Sequence, residues 1–250
     1  MRTKIKFYKD KLAVNFLAKD KENGKEVYEA IEGYTAVGVL SKQFNNVEEG
    51  IEYVKEFQKS VPVVSVGLGS GDPAQFQKAA LIAAATNPGH VNQVFTGAGY
   101  AAGAMKVLSA DETAINVLMS PTGILGKVKI STGELSSKEE DAIVDVDTAM
   151  AMLLDMKAHS VKFFPMGGLK SIEELKVVAE ACVRHGVPML EPTGGITLEN
   201  FKIITKVCLD AGVKKVMPHI YNAVIDSETG KTKIEDVKKV YEMMKELLAE

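Results

Sequence analysis

Eight short runs rich in Val, Ile, Leu and Phe recur along the chain, at 12–17, 36–40, 61–66, 91–95, 115–119, 161–164, 189–190 and 215–217. Between them the apolar residues recur at three and four positions, over 47–59, 73–85, 145–157, 171–185, 198–211 and 234–248. Short β-branched runs mark strands and the longer period marks amphipathic helices, so the chain reads strand, helix, strand. Strands joined through helices pair in parallel with right-handed crossovers. Eight such units in 250 residues predict an α/β fold, a (β/α)8 TIM barrel forming one domain over 1–250. The competing architecture is an open doubly wound sheet, but no Gly-x-Gly-x-x-Gly leads into a first helix. One stretch, 124–141, is longer than an ordinary strand-to-helix loop. Within it, 127–133 has the pattern of a small hairpin, expected to act as a lid or an oligomer contact.

The charge balance limits the partners. Thirty basic residues against 33 acidic ones leave a formal charge of -3, which gives no attraction to nucleic acid or an anionic membrane. Residues 1–11 alternate charged and apolar side chains, and no apolar run approaches the ~20 residues that span a bilayer. The expectation is a cytoplasmic protein acting on a small molecule. Cys182 and Cys208 lie apart within helical patterns and read as reduced, buried thiols. His90, His159, His185 and His219 are scattered without metal-ligand spacing, so neither a metal nor an organic cofactor is expected.

Polar and glycine residues collect just after the strands: Gly69-Ser70-Gly71-Asp72, Thr96-Gly97, Ser120-Pro121-Thr122-Gly123 and Pro192-Thr193-Gly194-Gly195. A barrel keeps its chemistry at that end. Strand alternation puts Lys162 on the same side as Ser160 and Phe164, facing into the barrel. An ordinary lysine, with pKa ~10.4, is only about 0.1% neutral near pH 7.4, and only the neutral amine attacks a ketone. Burial that lowered the pKa toward ~7 would raise that fraction several hundredfold. An inward lysine held in a fixed ion pair is an equally ordinary reading of Lys162 alone. The segment Pro192-Thr193-Gly194-Gly195-Ile196-Thr197 alters the balance. Two glycines allow backbone N–H groups to approach an anion, Thr193 and Thr197 add hydroxyls, and a helix predicted to start near Thr197 turns its positive end there. An ordinary tight turn with a helix cap explains the loop alone equally well. Lysine and loop together point to Schiff-base chemistry on a phosphorylated carbonyl compound.

Two strings carry a resemblance, Lys162-Phe163-Phe164-Pro165 and Pro192-Thr193-Gly194-Gly195-Ile196. Intact and in this order, they resemble the Schiff-base strand and phosphate loop of the class I 2-keto-3-deoxy-6-phosphogluconate aldolases. The weaker segment Val66-Gly67-Leu68-Gly69-Ser70-Gly71-Asp72-Pro73-Ala74-Gln75 is similar to that family's Gly-x-Gly-Thr segment followed by Pro-Gln, which implicates Ser70 at the substrate. The chain is more similar to the divergent branch linked to catabolism of amino-sugar acids such as glucosaminate. The resemblance is carried mainly by 158–212. It implies a barrel enzyme, oligomeric like its relatives, that reversibly cleaves the phosphorylated keto-deoxy acid to pyruvate and glyceraldehyde 3-phosphate. Lys162 would form the imine, Phe164 would line the site, and Thr193, Gly194 and Gly195 would hold the phosphate.

The sequence departs from that family at two points. The family's Glu-x-Thr-x-Arg on its second strand corresponds to Gly38-Val39-Leu40-Ser41-Lys42. Lys42 replaces the arginine as a cation without its planar fork, and no carboxylate replaces the proton-shuttling glutamate. Glu191 stands just before the phosphate loop, shares side-chain parity with Thr193 and is expected to point inward. It reads either as the replacement shuttle or as the fixed partner of Lys42 or Lys162. Asp72 before Pro73 reads as a helix cap, His90 as starting a strand at the far end of the barrel, and His219 as a weaker phosphate candidate. Three other functions compete: an imine-forming aldolase or dehydratase on an unphosphorylated keto acid, a phosphosugar isomerase or epimerase, and a silent sensor of a phosphorylated sugar acid.

Overall fold

Each apolar run forms a strand whose outward side chains pack against helices, as the computed structural model shows for residues 2–249. The order is β1 (Val14–Leu17), α1 (Lys21–Ala30), β2 (Thr35–Leu40), α2 (Val47–Gln58), β3 (Val64–Gly67), α3 (Phe76–Thr86), β4 (Gly89–Val94), α4 (Ala98–Val107) and β5 (Ala114–Ser120). Then come β6 (Lys127–Ile130), β7 (Ile143–Asp145), α5 (Val146–Asp155), β8 (Ser160–Phe163), α6 (Ile172–His185) and β9 (Met189–Pro192). The chain ends with α7 (Phe201–Asp210), β10 (Lys215–Val216), β11 (His219–Ile220) and α8 (Ile234–Leu247). The parallel order is β10-β9-β8-β5-β4-β3-β2-β1-β11. β10 and β11 are two halves of one eighth strand, interrupted at Met217 and Pro218, where proline has no N–H to give a ladder. β10 pairs with β9 and β11 with β1, while bridges from Leu12 to Val216 and from Thr193 to His219 join each half to the other neighbour. The expected (β/α)8 barrel is therefore closed.

Its two faces carry different residues. Val14, Phe16, Val37, Val39, Val117, Val161 and Phe163 point outward into a continuous apolar layer shared with the helices. A second cluster of Ile5, Ala13, Ala36, Val63, Ala114, Met189 and Met217, with Phe7 against it, fills the end where the strands begin. With that end filled, the open end lies where the strands finish, which leaves room for a site there. No helix among the described residues is long and apolar enough to cross a membrane.

Two expectations need correction, and two helices are additions. The 124–141 hairpin does not form within 127–133: β6 lies antiparallel to β5 through Met119 and Ile130, and its other partner is β7. α7 begins at Phe201, after a turn in which Asn200 Oδ1 accepts from the Thr197 N–H at 2.8 Å. Helices α1 and α4 were not predicted, because α1 has few apolar residues among many charges, while α4 is mostly Ala and Gly and lacks a strong apolar stripe. Local chemistry nevertheless supports α1: Asp20 caps it by accepting from the Asn23 N–H, and Gly24 lets it lie directly on Phe57. A Cβ at Gly24 would sit 2.4 Å from that ring.

Candidate active site

Lys162 stands on β8 in register with Leu118 of β5 and Glu191 of β9. It points to the open end, where its Nζ donates to Asn92 Oδ1 at 2.8 Å. The rings of Phe164 and Tyr221 flank it, with centroids 5.7 and 5.9 Å away. Burial lowers its pKa from 10.5 to about 8, and the more distant Glu191 charge opposes that fall only in part. A neutral amide has taken the place that a carboxylate would fill in an ion pair. The amine borders a cavity of about 550 Å³, which suits a small sugar acid.

The wall beside it is the loop after β9, the strand paired with β8. Thr193, Gly194, Gly195, Ile196 and Thr197 all border the cavity. Gly195 has φ of +73°, and a Cβ there would lie 2.5 Å from Gly168 N, so only glycine allows the two loops to meet. The Gly168 N–H donates to Gly194 O at 2.8 Å, and the Asn200 amide donates to Gly195 O at 2.9 Å, which holds the loop open toward the cavity. The Thr193 hydroxyl is already engaged, donating to Glu191 O at 3.0 Å. Ser70 borders the cavity from the β3 side in a left-handed turn, with φ of +52°. Lys42 lies outside the cavity lining, 3.1 Å from Asp72 Oδ2. Asp72 also caps the turn at Pro73 by accepting from the Ala74 N–H.

Glu191 is fully buried and pairs with neither lysine. Its Oε1 accepts from Ser160 Oγ and approaches His90 Nε2 at 3.1 Å. Its Oε2 accepts from Asn116 Nδ2 at 2.8 Å and approaches His219 Nε2 at 2.7 Å. Burial alone would raise the carboxyl pKa, but the two histidines outweigh it and hold Glu191 well below the usual carboxylate range. Glu191 lies beneath the cavity floor instead of facing it. Two earlier expectations change accordingly. His90 belongs to the interior beneath the site, with Ser65 Oγ 2.7 Å from its Nδ1. His219 is part of the eighth strand and binds Glu191, so it is not a free phosphate donor.

Asn92, Asn116, Ser160 and Tyr221 were missed. The signal that could have found the first three is period two: polar residues recurring at the inward positions of a buried strand, as His90 and Asn92 do in Gly89-His90-Val91-Asn92-Gln93-Val94. Tyr221 follows β11 and has no such pattern.

Known proteins resemble this chain over nearly its whole length. The family model described as KDGP aldolase matches residues 8–228. The 2-dehydro-3-deoxy-phosphogluconate aldolase of Salmonella typhimurium is 53% identical over 244 residues, covering 98% of this chain and 99% of that protein. Among solved structures, one described as native KDPGal superposes with a TM-score of 0.62 at 12% identity, covering all of both chains. Thiamine phosphate pyrophosphorylase from Pyrococcus furiosus gives 0.55 at 15% identity, covering 96% of this chain and 98% of that one. At such identities the structural likeness concerns the fold alone, but the family model and the 53% identical relative span nearly the whole chain. The chain belongs to the KDGP aldolase family.

Proposed function

We propose that the protein is a Schiff-base aldolase that cleaves 2-dehydro-3-deoxy-6-phosphogluconate reversibly to pyruvate and glyceraldehyde 3-phosphate. The observation that carries this reading is the Lys162 amine, lowered to about pKa 8 by burial and hydrogen-bonded to the neutral Asn92. The 53% identical relative, named for this class of reaction, supports it further. Neutral Lys162 attacks the C2 ketone, and loss of water gives a protonated imine. That imine draws the electron pair of the C3–C4 bond, releasing the aldehyde and leaving an enamine that is protonated and hydrolysed to pyruvate. Gly194 and Gly195, with Thr193 and Thr197 beside them, form the phosphate end, so that binding energy far from the reacting bond helps to position it. Ser70 and Phe164 complete the walls. Lys42, paired with Asp72 at the rim and outside the cavity lining, takes no direct part in this reading. A cytoplasmic homo-oligomer is the setting proposed for this enzyme.

Borohydride reduction with pyruvate, followed by peptide mapping, tests the imine, and a pyruvyl adduct on Lys162 is expected. Turnover of the phosphorylated acid well above that of its unphosphorylated counterpart tests the phosphate end. Equal turnover of the two would move the reading to an aldolase or dehydratase of unphosphorylated keto acids. Binding of the phosphorylated acid without an adduct would move it to an isomerase or a silent sensor.

A further inference from the structure

The aldolase reading leaves protons to be moved, and Glu191 cannot move them directly. Its two oxygens already face four donor groups, and it lies below the cavity floor. The groups above it do reach the cavity. His219 Nδ1 lies 2.8 Å from the Tyr221 hydroxyl, and both residues border the cavity. The Tyr221 ring stands 5.9 Å from Lys162 Nζ, within reach of a small molecule bound to that amine.

We propose that Tyr221 is the acid–base catalyst of the reaction, backed by His219 and Glu191 as a proton relay. The inference rests on the imine chemistry assigned above to Lys162.

The hydrogen-bond pattern fits a relay at rest. A Glu191 carboxylate offers only acceptors, so Nε2 of both His90 and His219 must carry the proton and donate. On the other side of His90, the Asn92 amide donates to Ser65 Oγ at 3.1 Å, which turns the Ser65 O–H toward His90 Nδ1. Burial first, and then the Lys162 charge, push His219 down to about pKa 3, so its Nδ1 is a free acceptor. Tyr221 can then donate its O–H to that Nδ1. The third member of this contact is Asn15, whose amide oxygen faces the Tyr221 hydroxyl at 2.9 Å while its buried Nδ2 has no partner. With the Asn15 amide turned over, Nδ2 donates to the tyrosine oxygen and the tyrosine proton is committed to His219.

The steps balance without an added oxidant or reductant. In cleavage, the C4 hydroxyl gives its proton to Tyr221 Oη as the tyrosine proton passes to His219 Nδ1. The C3–C4 electron pair moves into the imine, and the aldehyde leaves. The new imidazolium is stabilised by Glu191, which stays ionised throughout. The proton then returns from His219 through Tyr221 to C3 of the enamine, restoring the imine for hydrolysis. Tyr221 touches the reacting atoms, whereas His219 and Glu191 act through it as positioning residues.

The test is deuterium exchange into the methyl group of pyruvate, followed by NMR in heavy water. It reads proton transfer at C3 without needing the aldehyde. In Tyr221→Phe, exchange is expected to fall about 100-fold or more while borohydride still traps pyruvate on Lys162, which also reports an intact site. His219→Asn should lose a similar factor, and the double variant should be no slower than the slower single one, because groups acting as one unit do not lose independently. Exchange in Tyr221→Phe at the parent rate, with the adduct present, would overturn the relay and leave the aldolase reading standing. Multiplying losses in the double variant would overturn the link between Tyr221 and His219. Loss of the adduct in Tyr221→Phe would assign the hydroxyl to imine formation or packing, against the proposal. An absent adduct in the parent protein would overturn the imine reading and the relay with it.

Discussion

Two lysines stand toward the open end of the barrel, and their surroundings are opposite. Lys42, after β2, has a side chain 64% exposed and lies 3.1 Å from the Asp72 carboxylate. Lys162, on β8, is largely buried between two aromatic rings, and its hydrogen-bond partner is the neutral Asn92 amide. One is a solvated surface ion pair, worth little in stability and screened by salt. The other is an amine at about pKa 8, roughly one-fifth neutral at pH 7.4 against about 0.1% for a lysine in water. Nucleophilicity here thus depends on the company the amine keeps: a hydrogen bond to an uncharged acceptor orients it, and burial makes its charge costly.

The largest effect should come from removing the buried amine. Lys162→Met is expected to abolish the pyruvate adduct and lower kcat/KM by at least about 10³-fold, the scale on which loss of a covalent nucleophile acts. Lys42→Met should leave the adduct on Lys162. A Lys162→Met protein with parental activity would end the contrast, because both lysines would then be incidental.

The same substitution should stabilise the fold. A lysine whose folded pKa lies near 8 and whose unfolded value is 10.5 binds fewer protons folded than unfolded within that window. Stability therefore rises with pH from about 8 to about 10.5, and below pH 8 the buried ammonium imposes its full cost. That cost is at most about 3 kcal/mol. Urea unfolding at pH 7 should find Lys162→Met more stable than the parent by about 1–3 kcal/mol, with the gap closing toward pH 10.5. A gap that stayed constant with pH would mean that packing of the methionine, rather than removal of charge, had changed the stability.

A smaller change gives Lys162 the surroundings of Lys42. Asn92→Asp sets a carboxylate where the amide oxygen lies, 2.8 Å from the amine. An opposite charge at that distance favours the ammonium, so the rising limb of imine formation should move from near pH 8 to about pH 9 or above. At pH 7.4 the rate should fall about tenfold. Stopped-flow measurement of imine formation against pH reads the shift directly, and an unmoved limb would show that Asn92 does not set the amine's protonation.

The contrast also separates what could be read from sequence and what could not. Lys162 and the Gly194-Gly195 loop were legible because each belongs to a short local string whose chemistry depends on neighbours in sequence. The barrel was legible because its outer layer depends on one repeated pattern, apolar strand followed by amphipathic helix. The support beneath the site depends on residues far apart in the chain. Glu191 meets His90 and Asn116 only because β4, β5, β8 and β9 lie side by side, and it meets His219 only because the eighth strand closes the barrel. Inward polar residues such as Asn92 and Ser160 look like isolated interruptions of apolar strands until closure brings them together. His90 was misread for this reason: its Cα lies near the start of β4, while its ring reaches toward Glu191. Lys42 was read as a substrate cation from its place in a string, and only the fold shows that Asp72 already holds it.

Removing the partner of Lys42 should have the smallest effect, which makes it the control for the other three. Asp72→Asn abolishes the ion pair but keeps a side chain that caps the turn at Pro73 about as well, since asparagine and aspartate are comparable caps. Burial opposes ionisation of Asp72, yet the Ala74 N–H and Lys42 together hold its carboxyl below the usual range. Its contribution is therefore present above the unfolded carboxylate value and is lost as pH falls through the folded one. An exposed pair of this kind contributes less than about 1 kcal/mol, so urea unfolding at pH 7 should change by no more than that, and the change should shrink in high salt. The adduct on Lys162 should form at the parental rate with its pH profile unmoved. A profile that moved with Asp72 would mean that the rim carboxylate sets the charge of the buried amine from across the cavity, and Lys162 would then be governed by the same ion-pair electrostatics as Lys42.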